Sequence, residues 1–125
     1  MRIPISVPIV IRNVKITGPE GWVGVDLILD TGAAFVSLPW AVLKVIGYDP
    51  AIVPDRQEII TANGVIEVPK LRVKSIEMGD IKAYNVEVIC HDIPELAGVQ
   101  GLLGLSFLKC FKVILDFRES VLEIT

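Results

Sequence analysis

Apolar residues along this chain recur mostly at every second position, in runs broken by small clusters of Gly, Pro, Asn and Asp. That is the pattern of half-buried strands joined by tight turns. Ile3 to Ile16 alternates loosely and ends at Thr17-Gly18-Pro19-Glu20-Gly21, which predicts an opening strand and a hairpin-like connection. A second strand is predicted from Trp22 to Leu29, running straight into Asp30, and a short one from Phe35 to Leu38. Pro39 to Gly47 has Pro at its start and Gly just past its end, the punctuation of one short helix. Between Gln57 and Pro69, Asn63-Gly64 separates two β-branched runs and predicts a hairpin with those two residues at its tip, both at φ > 0. Strands follow at Leu71 to Ile76 and Ala83 to Cys90, divided by Met78-Gly79-Asp80. The last part predicts a helical turn around Ser106 to Cys110, a strand from Phe111 to Phe117, a turn at Arg118 to Ser120 and a final strand from Val121 to Thr125.

These elements make an all-β chain with one or two short helices, and no Pro-, Gly- or Ser-rich linker divides it. Its 125 residues suit a single domain, 1–125, large enough for a true core. A weak echo of strand, apolar loop and short helix links Leu27 to Gly47 with Val86 to Lys109, where Gly101-Leu102-Leu103-Gly104 takes the place of the loop.

Charge narrows the partners. Twelve basic and fifteen acidic residues give a net charge of −3 without a basic cluster, so neither nucleic acid nor an anionic membrane surface is expected as a partner. No apolar run approaches the roughly 18–20 residues that cross a bilayer as a helix. The apolar start of the chain is interrupted by Pro4 and Pro8 and closed by Arg12, which reads as an extended strand rather than a leader and predicts a soluble, cytoplasmic protein. Cys90 and Cys110 have neither CxxC spacing nor a second pair, so they are expected to be reduced, partly buried thiols. His91 is the one histidine and cannot build a multi-histidine metal site; it too is expected to be structural. No metal and no cofactor is called for.

One stretch resists a purely structural reading. In LILDTGAAFVSLP, Leu27 to Pro39, an apolar run stops at Asp-Thr-Gly and resumes at once, which brings a carboxylate close to a core where an unpaired charge is costly. A bare Asp-x-Gly is most often a turn. A solvent-facing turn, however, has no need of Leu27, Ile28 and Leu29 before it and Phe35, Val36 and Leu38 after it.

Taken with GLLGLSFL some seventy residues later and the Asn-Gly hairpin between them, this stretch resembles the retropepsin-like aspartic proteases, single-domain relatives of pepsin. The resemblance spans Gly21 to Phe117 and implies a closed or partly open β-barrel of the acid-protease type, of a single lobe. It implies an aspartic endopeptidase acting on an extended peptide or unfolded protein at apolar sites, with catalytic Asp30, Thr31 and Gly32. Ala33 and the flap residues Ile60, Ala62, Asn63, Gly64 and Val65 are implied to contact substrate. Such an enzyme needs two carboxyls sharing one proton, a pattern for which aspartic proteases are themselves the type case. The chain has a single Asp-Thr-Gly; Asp26, Asp80, Asp92 and Asp116 are not followed by Thr-Gly. A homodimer with two Asp30 side chains on its two-fold axis is therefore expected. Many retroviral members carry an acid two places after the motif Gly and an Arg after the later Gly; here Ala34 and Leu105 stand there, which places the chain nearer the cellular and microbial members. The alternatives are a noncatalytic module of the same fold for dimerisation or peptide binding, and a small barrel carrying an apolar ligand.

Overall fold

A computed structural model describes residues 1–94 and 98–125. The first predicted strand is two: β1, Arg2–Pro4, and β2, Val10–Gly18. Pro4 and Pro8 cannot donate to a ladder, so the chain leaves one sheet between them and enters another. β2 turns through Pro19 and Glu20 into β3, Gly21–Leu29, with Gly18 opposite Gly21. Then come β4, Val36–Leu38, and α1, Trp40–Val45, which starts after Pro39 and stops before Gly47 as the sequence predicts.

The hairpin is β5, Arg56–Thr61, against the first half of β6, Gly64–Met78. Its tip lies one residue earlier than predicted. Thr61 pairs with Gly64, so Ala62 and Asn63 form the loop, and Gly64 has φ +115 while Asn63 is not at positive φ. One left-handed residue suffices because Thr61 closes the turn, its Oγ1 accepting from the Asn63 N–H at 3.3 Å and donating to the Gly64 carbonyl at 3.0 Å. β6 does not end at Pro69 either. Pro69 is the last residue opposite β5, and from Lys70 onward the same strand pairs with β7, Ile81–Cys90. Pro69 thus stands where β6 changes partner and a missing donor costs least.

Leu103 and its two predecessors, expected as a loop, form β8, Gly101–Leu103. It is inserted parallel to β3 and antiparallel to β4. α2, Leu105–Leu108, follows, then β9, Val113–Asp116, and β10, Val121–Ile124. Strand order β2-β3-β8-β4-β7-β6, with β6 pairing back onto β2, closes a barrel of six strands. Inward residues of these strands, among them Val14, Ile16, Leu27, Val36, Val73, Ile76 and Val88, fill it together with Phe107 from α2. β1, β10 and β9 make a separate three-stranded sheet in which β10 is central and antiparallel to both neighbours. The closing VLEI thus pairs within its own chain.

Candidate functional site

Asp30 is the first residue beyond β3, and its loop is fastened from several directions. The Asp30 N–H donates to the Leu103 carbonyl at 3.1 Å, tying the loop to the end of β8. The Asp30 carbonyl accepts from the Ala33 N–H at 3.2 Å, and Oδ1 accepts from the Gly32 N–H at 2.9 Å. From beneath, Leu105 N–H donates to the Ala33 carbonyl at 2.8 Å and buried Ser106 accepts the Val36 N–H on its Oγ at 2.8 Å. This is the use of Gly-Leu-Leu-Gly. A Cβ on Gly104 would lie 2.7 Å from the Ala33 carbonyl oxygen and closer still to that of Phe35, and one on Gly101 would overlap the Ser37 carbonyl oxygen. Only bare backbone lets β8 and the start of α2 approach the loop this closely.

The apolar frame does not bury the acid. Leu27, Leu29, Val36 and Leu38 point into the core, while Asp30 is half-buried and Thr31 and Gly32 are exposed. The sequence thus places the loop correctly but misjudges its depth, because Asp30 stands just past the strand's end and opens into a cleft.

That cleft, about 530 Å³, runs between the Asp30 loop and the inner side of β5. Of the residues implied to contact substrate, Ala33 and Ile60 line it. Ala62, Asn63, Gly64 and Val65 are outside its lining, at the tip of the hairpin and on the return strand. The wall is instead built by Gln57, Glu58, Ile59 and Thr61 of β5, and the opposite side by Phe35, Ser37, Ile89, His91 and Leu102. His91, expected to be structural, therefore faces the cleft. Strand periodicity carried this signal: Val86, Val88 and Cys90 fill the barrel, so Ile89 and His91 take the other side. Phe35 and Ser37 alternate with Val36 and Leu38 in the same way.

Every other aspartate weighed from the sequence has work elsewhere. Asp26 accepts from the Asn13 N–H at 2.9 Å and pairs with Arg12 at 3.0 Å; the backbone bond, with Arg12 and against partial desolvation, holds its carboxyl below the usual range. Asp80 lies 3.4 Å from the Met1 ammonium, Asp92 accepts from the Trp40 N–H at 2.9 Å, and Asp116 caps a turn through the Glu119 N–H at 2.9 Å. Among the described residues, the cleft lining holds Asp30 as its one aspartate. Of the cysteines, Cys90 is buried, and that burial, with Asp92 adding to it, pushes its thiol up to about 11; Cys110 is exposed, contrary to expectation.

Residues 13–110 match the family model described as "gag-polyprotein putative aspartyl protease". The chain belongs to this aspartyl protease family. Among solved structures, the fold of this family member superposes on a retropepsin-like aspartic protease from Rickettsia conorii with a TM-score of 0.70 at 22% identity, covering 100% of this chain and 97% of the other. The retropepsin-like fold is thereby shown, and the barrel is of the acid-protease type. A curated relative, a Sinorhizobium protein described as "Uncharacterized protein in cobV 5'region", is 29% identical over 90 residues. That match takes in 72% of this aspartyl protease family chain but only 38% of the relative's length.

Proposed function

We propose that this protein is an aspartic endopeptidase whose active form is a homodimer, with Asp30 of each copy contributing one carboxyl to a shared dyad. The observation that carries this reading is Asp30 itself: an acid on a tightly fastened loop, opening into a cleft beneath a projecting hairpin, while the other aspartates weighed above are engaged elsewhere. Two such carboxyls across a two-fold axis would hold one proton between them. The ionised one takes a proton from water as it attacks the scissile carbonyl, and the protonated one delivers its proton to the carbonyl oxygen. Exposed Thr31 is the residue available to reach the second copy's loop, and Gly32 directs its N–H onto the carboxylate. The substrate is an extended peptide lying between the loop and β5, bound through main-chain hydrogen bonds as an added strand. The hairpin is the flap that covers it and excludes water.

The test compares wild type with Asp30→Asn on an unfolded protein, with and without a pepstatin-type inhibitor, alongside sedimentation of both proteins. Wild type is expected to cut as a dimer and to be inhibited; Asp30→Asn is expected to lose turnover by about ten-thousandfold while keeping its fold. Retained peptide binding with no cleavage by wild type would favour the noncatalytic module, and equal cleavage by both proteins would sink the assignment.

A further inference from the structure

His91 is held in the cleft by its backbone while its ring is left uncommitted. Its N–H donates to the Leu38 carbonyl at 3.0 Å, and its carbonyl accepts from the Ser37 hydroxyl at 3.3 Å. Ser37 is 2% exposed, so this anchor is sheltered from competing water. Among the described residues the imidazole itself makes no hydrogen bond, although it is half-buried and lines the cleft together with Ile89. A ring in that position loses water when the cleft fills unless the occupant brings a hydrogen-bonding group of its own.

Two other polar side chains of the cleft wall, Gln57 and Thr61, are already engaged. Gln57 donates from Nε2 to the Glu58 carbonyl and accepts on Oε1 from Lys70, both at 3.2 Å. Thr61 is consumed by the hairpin turn. Lys70 is outside the lining of this cleft, 5.5 Å from the centroid of the Phe35 ring and 3.8 Å from Glu87. The lining carries the carboxylates of Asp30 and Glu58 and, among the described residues, no lysine or arginine.

We infer that His91 makes one subsite of this cleft selective for a carboxamide side chain, glutamine or asparagine, in a peptide whose neighbouring residues are apolar. The inference rests on the peptide-cleaving reading and departs from the uniformly apolar preference that the resemblance implies. A carboxamide supplies one acceptor and two donors, so it can pair with whichever ring nitrogen faces the cleft, whether that nitrogen donates or accepts. A carboxylate supplies acceptors alone and meets Asp30 and Glu58 in the same cavity. A leucine would fill the space beside Ile89 and Leu102 but leave the imidazole dry and unpaired. The methylenes of a glutamine pack on those same apolar residues.

The experiment uses a set of synthetic octapeptides with an apolar background in which each position in turn carries Gln, Asn, Leu, Glu or Lys. Binding is read by fluorescence polarisation on the Asp30→Asn protein, and cleavage by wild type. At one position Gln or Asn is expected to be preferred over Leu and over Glu by about tenfold. His91→Leu should reverse the preference toward Leu, and His91→Gln, which keeps a donor and an acceptor, should retain part of it. Circular dichroism on both variants separates altered selectivity from failure to fold. A wild type that binds and cuts with Leu preferred at every position, or a folded His91→Leu protein with an unchanged profile, overturns the inference and leaves the protease assignment standing. Carboxamide-selective binding without any cleavage by wild type does the opposite.

Discussion

The loop from Asp30 to Phe35 and the hairpin from Arg56 to Pro69 face each other across one cleft, yet they are built on opposite terms. The loop is fastened by backbone bonds to β8 and α2 and by a buried hydroxyl, and the glycines beneath it leave no spare volume. The hairpin's distal half is held by its own β5–β6 ladder, and at its end Ile60 is 87% and Val65 63% exposed. On the proposed function, an acid that must meet its counterpart within hydrogen-bond reach tolerates little displacement. On the same proposal, a cover that must admit a peptide has to open at low cost, and segments with few buried contacts are the ones that do.

Substitutions on the two sides should therefore separate. Gly104→Ala carries the largest expected effect, about 3 kcal/mol or more of lost stability, since its Cβ meets two carbonyl oxygens that are part of the loop. Chemical denaturation would measure it; a near-neutral result would mean that the loop yields and the contrast is false. Ser106→Ala should cost about 2 kcal/mol, because the buried Val36 N–H is left without a partner. On the hairpin, Gly64→Ala should cost only about 1 kcal/mol, the strain of holding a side chain at φ +115 where open space surrounds it. A Gly64→Ala loss as large as that of Ser106→Ala would show the hairpin to be as tightly coupled as the loop. Ile60→Ser should lie within about 0.5 kcal/mol of wild type in thermal unfolding while weakening peptide binding, which sharpens the contrast by parting function from stability.

How much of this was legible in the sequence follows the same division. Period-two apolar runs located β3, β4 and β7 and framed Asp30, because a strand with one buried face writes its burial into every second residue. Gly47 and Pro39 bounded α1 for equally local reasons. What stayed hidden depends on partners distant in the chain. Leu102 and Leu103 look like part of a loop until β3 and β4 supply neighbours on both sides. β6 reads as two strands because Pro69 interrupts it, and only the exchange of β5 for β7 explains why the strand survives. The hairpin tip moved by one residue because the Thr61 hydroxyl, a side-chain effect, closes the turn without a second left-handed residue. That His91 points away from Cys90 is legible from strand phase, but that this outer face opens into the cleft depends on β5 and the Asp30 loop, which lie far off in the chain.

The three-stranded sheet has a consequence for the order of assembly. β10 lies between β1 and β9, and the Met1 ammonium donates to the Ile124 carbonyl 123 positions away at 2.7 Å. Ile3 waits for Leu122, so β1 gains its partner strand only once β10 has been made and has reached it, whereas β2 and β3 pair with close neighbours in the chain. Until then β1 has an unfilled edge, and the nascent chain is open at that seam to a chaperone or to a strand from a neighbouring copy.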